Sequence, residues 1–309
     1  MKKTRKTPFR LSMNLLAICA AAALLAGCGA SSAGPNAASG SGAGNASPNA
    51  ASDSAGSPSA SGSAGAQPSQ EAKKIIVGTG TQFPNVCFID ENGKLTGFDV
   101  ELVRLIDERL PDYAFELQTM EFTNLLLSLE TKKIDIVAHQ MEKNPEREQK
   151  YLFNKEPYAA WKNKIVVAKD NGDDIRTLDD LKGKKVLTTA TSAQATILEN
   201  YNKDNGDAIE IVYQNGAAND TVSQIVSGRV YATLAADFAL QLIDPEGQLK
   251  TAGETLSEAD ILFVFRKDDP EAQRLADRVD DAIRELKSEG AISKLSLEWF
   301  GEDFTQTGT

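Results

Sequence analysis

Arg147 ends the run His139-Gln140-Met141-Glu142-Lys143-Asn144-Pro145-Glu146-Arg147, directly after the apolar pattern Ile134-Asp135-Ile136-Val137-Ala138. The apolar pattern predicts a buried strand. Asn144 as N-cap, Pro145 at the first helical position and Glu146 in the first turn then start a short helix. Arg147 therefore stands just past a strand end, where open α/β sheets bind small ligands. A fixed guanidinium there offers a two-pronged fork to a carboxylate. The alternative is a surface pair with Glu146, Glu148 or another acid.

A second anion site is readable further on. The strand Lys185-Val186-Leu187-Thr188-Thr189 feeds a loop, Ala190-Thr191-Ser192-Ala193-Gln194, and then a helix from Ala195 to Tyr201. Free N–H groups and the helix dipole at such an N-terminus attract an anion. Ser192 can equally be an ordinary cap, and the two roles are compatible. Asp237 follows the run Ala232-Thr233-Leu234-Ala235-Ala236 and again marks a strand end, or else caps the helix that follows.

Catalytic chemistry finds no constellation. The chain has 1 His, His139, which excludes Ser-His-Asp and Cys-His sites built from another histidine. His139 is either a ligand neighbour or a packed structural residue. No Cys/His cluster points to a transition metal, and no glycine-rich phosphate loop is present. No cofactor is expected. Of 3 Cys, Cys19 and Cys28 belong to the N-terminal segment, so Cys87 has no partner for an intrachain disulfide in a processed chain. It reads as a small packed residue rather than a nucleophile.

The elements that position these residues alternate. Lys73 to Gly80 is a β-branched strand, Asp90-Glu91-Asn92-Gly93-Lys94 a hairpin turn. A helix begins at Asp99, its expected N-cap, with Leu102, Val103, Ile106 and Leu110 as its buried stripe. Phe115 to Gln118 is a strand, Asn124 to Glu130 a helix, and the 134–138 strand follows. Strand, helix, strand, helix, strand implies a parallel sheet with crossovers. A second such series begins at Lys185, continues through the strand Ile209–Tyr213 and a helix over Asp220–Val226, and reaches Asp237. Glu254 to Phe265 crosses back, and 270–289 is a charged amphipathic helix.

The N-terminus reads differently. Lys2, Lys3, Arg5, Lys6 and Arg10 precede the apolar run Leu15 to Leu25, a secretory signal too short for a stable membrane span. Leu25-Ala26-Gly27-Cys28 resembles a bacterial lipoprotein signal, in which the Cys is acylated, palmitate included, and becomes the new N-terminus. Such an anchor holds a protein on a membrane without crossing it. Residues 30–70 are small and polar with one charge, Asp53. They cannot offset their ordering entropy, and form a tether of roughly 35 Å r.m.s. reach. Removing the five basic residues of 1–27 takes the formal net charge from −11 to −16. That argues against nucleic acid and against electrostatic docking on an anionic bilayer.

Phe83-Pro84, Gly93-Lys94-Leu95-Thr96-Gly97-Phe98-Asp99-Val100, Lys133-Ile134-Asp135 and Glu146-Arg147 resemble the family 3 solute-binding proteins of amino-acid ABC importers. The 139–147 run and Ala190-Thr191-Ser192 are similar to a narrower group, the L-cystine-binding lipoproteins of Gram-positive bacteria. The resemblance covers roughly 73–305. It implies an α/β fold, a two-lobed type II periplasmic-binding-protein-like clamshell, each lobe a mixed, mainly parallel sheet flanked by helices. The implied division is a signal over 1–27, lipidated Cys28 and linker over 28–72, lobe 1 over 73–162, and a hinge strand over 163–168. Lobe 2 follows over 169–255, a second hinge strand over 256–266, the return of lobe 1 over 267–305, and a tail over 306–309.

The resemblance also implies roles. Arg147, Ser192 and the N–H of Ala193 take the carboxylate of an amino acid, L-cystine above all, and Asp237 takes its ammonium. Phe83 and Phe122 wall the side-chain pocket, and the Gln140 carbonyl and Glu142 supply further acceptors. The family usually has Gly-Thr where this chain has Thr191-Ser192, which puts the tight turn in question. Glu142 stands where the wider family has a hydroxyl residue. The implied partners are a small amino acid and the membrane subunits of an ABC permease, for a monomer anchored on the extracellular face. Two rivals share the fold: a ligand-sensing subunit, disfavoured because no transmembrane or signalling segment follows Thr309, and a cyclohexadienyl-dehydratase-like enzyme, for which only Glu142 or Asp237 could serve as acid or base.

Overall fold

A computed structural model describes residues 72–214 and 218–305. The signal, Cys28, the tether and the tail 306–309 lie outside the described residues. The first half runs β1 (Lys73–Thr79), β2 (Gln82–Phe83), β3 (Cys87–Ile89), β4 (Leu95–Thr96), α1 (Phe98–Arg109), β5 (Tyr113–Thr119), α2 (Leu125–Glu130), β6 (Ile136–Glu142), α3 (Pro145–Lys150) and β7 (Tyr151–Phe153). Then come β8 (Ala159–Ala168), β9 (Lys185–Thr189), α4 (Ala193–Asn205), β10 (Glu210–Gln214), α5 (Ala218–Val226), β11 (Ala232–Ala236) and α6 (Ala239–Ile243). The chain ends with β12 (Leu249–Arg266), α7 (Pro270–Ser288) and α8 (Ala291–Phe300).

The strands hydrogen-bond in the order β10-β9-β11-β8-β12-β6-β1-β5, with β7 added on β12. At one end β1 lies parallel to both β5 and β6. At the other, β9 lies parallel to both β10 and β11. These two groups are the parallel, helix-connected series expected from the pattern. Between them β8 and β12 run antiparallel, from Ala159↔Ile261 to Ala168↔Leu249, with a shift in register between Ala252 and Ser257. Both strands exceed the short crossings expected: β8 pairs with β11 on one side, β12 with β6 on the other, and the two pair with each other between.

Each group is covered on both faces, as parallel sheets require. Around β6-β1-β5 one face packs α1, α7 and α8 through Leu102, Ile106, Val279, Ile283 and Phe300. The other packs α2 through Leu125 and Leu129 against Val137, Met141 and Val264. Around β10-β9-β11 one face gathers Ile165, Val186, Leu198 and Leu234, and the other Val166, Leu187, Val222 and Ile225.

Asp99 is not the cap of α1. That position belongs to Gly97, with φ 118 and no side-chain cap bond. A Cβ on Gly97 would lie 2.5 Å from the Val86 carbonyl oxygen, so only glycine lets the chain enter α1 here. Asp99 is then turned inward and fully buried, and its carboxylate accepts from the Gln140 backbone N–H at 2.7 Å and from Gln140 Nε2 at 2.5 Å.

Candidate functional site

The Asn144–Pro145 start is built as the sequence predicts. The Asn144 side chain accepts from the Arg147 N–H at 2.9 Å, and Pro145 opens α3. This directs Arg147 inward, where it is 7% exposed. Its Nη1 donates to the Glu142 carbonyl at 2.8 Å and its Nη2 to the Thr191 carbonyl at 3.0 Å. The acids expected to compete for it are engaged elsewhere. Glu146 accepts from Asn200, and Glu148 pairs with Lys143. The surface-pair alternative therefore fails. Burial lowers the Arg147 pKa from its ordinary value, and the charge of Glu142 opposes that shift.

Across from Arg147, Ser192 caps α4, its Oγ accepting from the Ala195 N–H at 3.0 Å. Thr191 has φ 65, the left-handed backbone a glycine would adopt freely. The turn thus forms without the family's Gly, with local strain held by surrounding structure. Its carbonyl is the one that Arg147 grips.

Strand β6 carries the remaining groups through a bulge. Met141 pairs with Leu262 but Val137 with Val264, so Ala138, His139 and Gln140 face Phe263 alone. Gln140 has φ 49, and its N–H leaves the ladder for Asp99. Such bulges re-aim side chains beside functional sites. Burial lifts the Asp99 pKa to about 6, against the hydrogen bonds from Gln140 and the nearby His139. His139 is buried, its pKa lowered by desolvation, and its ring lies 4.9 Å from Phe122 and 5.8 Å from Phe83. It is both packed and a wall residue. Behind it the thiol of Cys87 is fully buried, and burial pushes its pKa up to about 12. That removes the thiolate a nucleophile needs.

These groups line a partly open cavity of about 210 Å³. Arg147, Ser192, Ala193, Phe83, Phe122, Gln140 and Glu142 all line it. Asp237 does not. Its N–H donates to the Lys162 carbonyl at 2.9 Å, and its carboxylate accepts from the N–H groups of Phe238 at 3.0 Å and Lys162 at 3.3 Å. Nor does it cap α6, whose N-cap is Phe238 without a side-chain bond. The continued pairing along β8 holds it on backbone donors outside the cavity.

Several lining residues escaped the sequence reading. Trp161 donates Nε1–H to Glu142 at 2.9 Å, and Gln194 donates to the same carboxylate at 3.0 Å. Asn163, buried beside them, donates to both Glu142 oxygens. A buried indole needs an acceptor, so Trp161 in an apolar strand was a usable signal. Asn163 and Gln194 gave none, because their role depends on how strands distant in sequence meet. Phe238, 4.8 Å from the Trp161 ring, closes the floor.

A buried cation, a helix N-terminus and a buried carboxylate around an amino-acid-sized space suit a zwitterion. Among the described residues no group of three or more His, Cys, Asp or Glu could hold a metal ion. Comparison with known proteins agrees in kind. L-cystine-binding protein TcyK of Bacillus subtilis is 48% identical over 249 residues, covering 79% of this chain and 91% of that protein. L-cystine-binding protein TcyJ of the same organism is 44% identical over 240 residues, covering 77% and 88%. The solved structure of a candidate L-cystine ABC transporter of Listeria monocytogenes superposes with a TM-score of 0.71 at 45% identity, covering 76% of this chain and 99% of that one. The fold is therefore the type II periplasmic-binding-protein clamshell. The profile of the bacterial extracellular solute-binding proteins, family 3, matches residues 75–302, and this chain belongs to that family.

Proposed function

We propose that this protein captures free L-cystine and delivers it to the permease of an ABC importer. The observation that carries the reading is Arg147, a buried guanidinium that bonds no carboxylate among the described residues, facing the Ser192 helix start across one cavity. Arg147, Ser192 and Ala193 receive the ligand carboxylate, while Phe83 and Phe122 flank its side chain. The cystine assignment is supported by relatives whose names carry that ligand. Closure follows from the ligand touching both halves, with 163–168 and 256–266 as the flexing strands between lobes 73–162 plus 267–305 and 169–255. Contacts such as Asn200 to Glu146 and Gln194 to Glu142 belong to the closed form. The protein acts as a monomeric binder rather than an enzyme: Asp237 stands outside the cavity, and Glu142 accepts hydrogen bonds from Trp161, Asn163 and Gln194.

Isothermal titration of purified 72–309 against a panel of amino acids tests this. L-cystine is expected to bind most tightly. A panel in which cystine gives no heat, or ranks below arginine or glutamine, contradicts it. Lipid attachment at Cys28 is proposed from Leu25-Ala26-Gly27-Cys28. Mass spectrometry of the membrane-extracted protein checks it, and an unmodified N-terminus there overturns it.

A further inference from the structure

We propose that the ammonium of the captured amino acid is held from strand β6, by the Glu142 carboxylate with the side-chain oxygen of Gln140, and not by Asp237. The assignment rests on the amino-acid reading above. Two acids line the cavity, Glu121 and Glu142. Glu121 is exposed and takes a long bond, 3.4 Å, from Gln82. Glu142 is 5% exposed. All its side-chain donors are neutral: Trp161, Asn163 and Gln194 on Oε1, and Asn163 alone on Oε2. Arg147 lies near enough for the two charges to act on each other, but its hydrogen bonds go to the Glu142 and Thr191 backbone carbonyls and not to the Glu142 carboxylate. A buried charge held by neutral donors, with one oxygen still able to accept, is stabilised by a cation brought to it.

Gln140 supplies an independent sign. Its Oε1 is buried and lacks a hydrogen-bond partner. The amide cannot turn to relieve this. Asp99 only accepts, and it fixes the Gln140 N–H and Nε2 at 2.7 and 2.5 Å. Gln140 is 6% exposed and lines the cavity. An orphaned buried acceptor is costly unless something donates to it, and an ammonium donates to several acceptors at once. Arg147 and Glu142 then give the cavity one buried charge of each sign, matching a zwitterion and penalising any ligand without its ammonium.

The test uses two ligands of the same length, L-cystine and 3,3′-dithiodipropionic acid, which keeps both carboxylates and the disulfide but has no ammonium. Affinities are measured by calorimetric competition at neutral pH for the parent, Glu142→Gln, Glu142→Asp and Asp237→Asn, with circular dichroism confirming the fold of each. The parent is expected to prefer cystine by about 30-fold or more, in line with removal of one partner of a buried charged pair. Glu142→Gln should weaken cystine by a similar factor, leave the diacid within about 3-fold of the parent, and so erase the preference. Glu142→Asp should retain part of it, and Asp237→Asn all of it. The proposal is overturned if Glu142→Gln keeps the parental preference, if it loses both ligands alike, or if Asp237→Asn is the variant that erases the preference. Failure of the underlying amino-acid reading shows separately, as a parent that binds neither ligand.

Discussion

Arg147→Ala is expected to abolish measurable amino-acid binding while the protein stays folded. The side chain makes no ion pair that the fold depends on; it donates to the Glu142 and Thr191 carbonyls. Losing those two bonds, each donated by a charged group, costs about 1.5–3 kcal/mol apiece in stability. Binding is lost because the ligand carboxylate then enters the cavity without its cation. Truncating one partner of such a pair costs about 2–5 kcal/mol, roughly thirty- to several-thousand-fold in affinity. Arg147→Lys should rescue only in part, since an ammonium keeps the charge but cannot grip both carbonyls and still present a fork. Isothermal titration with L-cystine, alongside circular dichroism, reads both effects. Parental affinity in a folded Arg147→Ala protein would place the carboxylate elsewhere.

The second large effect falls on Gly97, away from the cavity. Gly97→Ala should lower stability by about 2–5 kcal/mol. A left-handed backbone with a Cβ costs roughly 1–2 kcal/mol. The new atom would also meet the Val86 carbonyl oxygen at 2.5 Å and its carbon at 2.6 Å, a backbone overlap of the kind that costs about 1–3 kcal/mol. A shift of melting temperature by about 2–4 °C per kcal/mol follows for a domain of this size. The consequence reaches the site. The start of α1 sets Asp99, and Asp99 holds Gln140 in its left-handed bulge. Cystine affinity should therefore fall in the fraction that remains folded. A variant that melts with the parent would mean the chain can enter α1 without that close approach.

What the sequence revealed was local chemistry. Asn144-Pro145 announced the start of α3 and so the direction of Arg147. Ser192 announced the start of α4. Alternation and turn residues announced the two series of strands, and the resemblance to solute-binding proteins supplied their pairing into two halves. What stayed hidden was set by contacts between distant segments. Asp99 carries a capping residue's identity, yet the glycine before it moves the cap and buries the acid. Asp237 stands at a strand end as expected, but the pairing of β11 with β8 carries one residue further and ties its carboxylate to backbone N–H groups. Asn163 and Gln194 meet Glu142 only because β8 and β12 bring the halves together.

The most direct test of the account is a crystal structure of the protein grown with L-cystine. One cystine is expected inside the cavity between Phe83, Phe122 and the Ser192 helix start, with a carboxylate on the Arg147 guanidinium and the ammonium of that same end on Glu142. Cystine bound outside this cavity, or bound inside it with Arg147 still free of any ligand carboxylate, would contradict it.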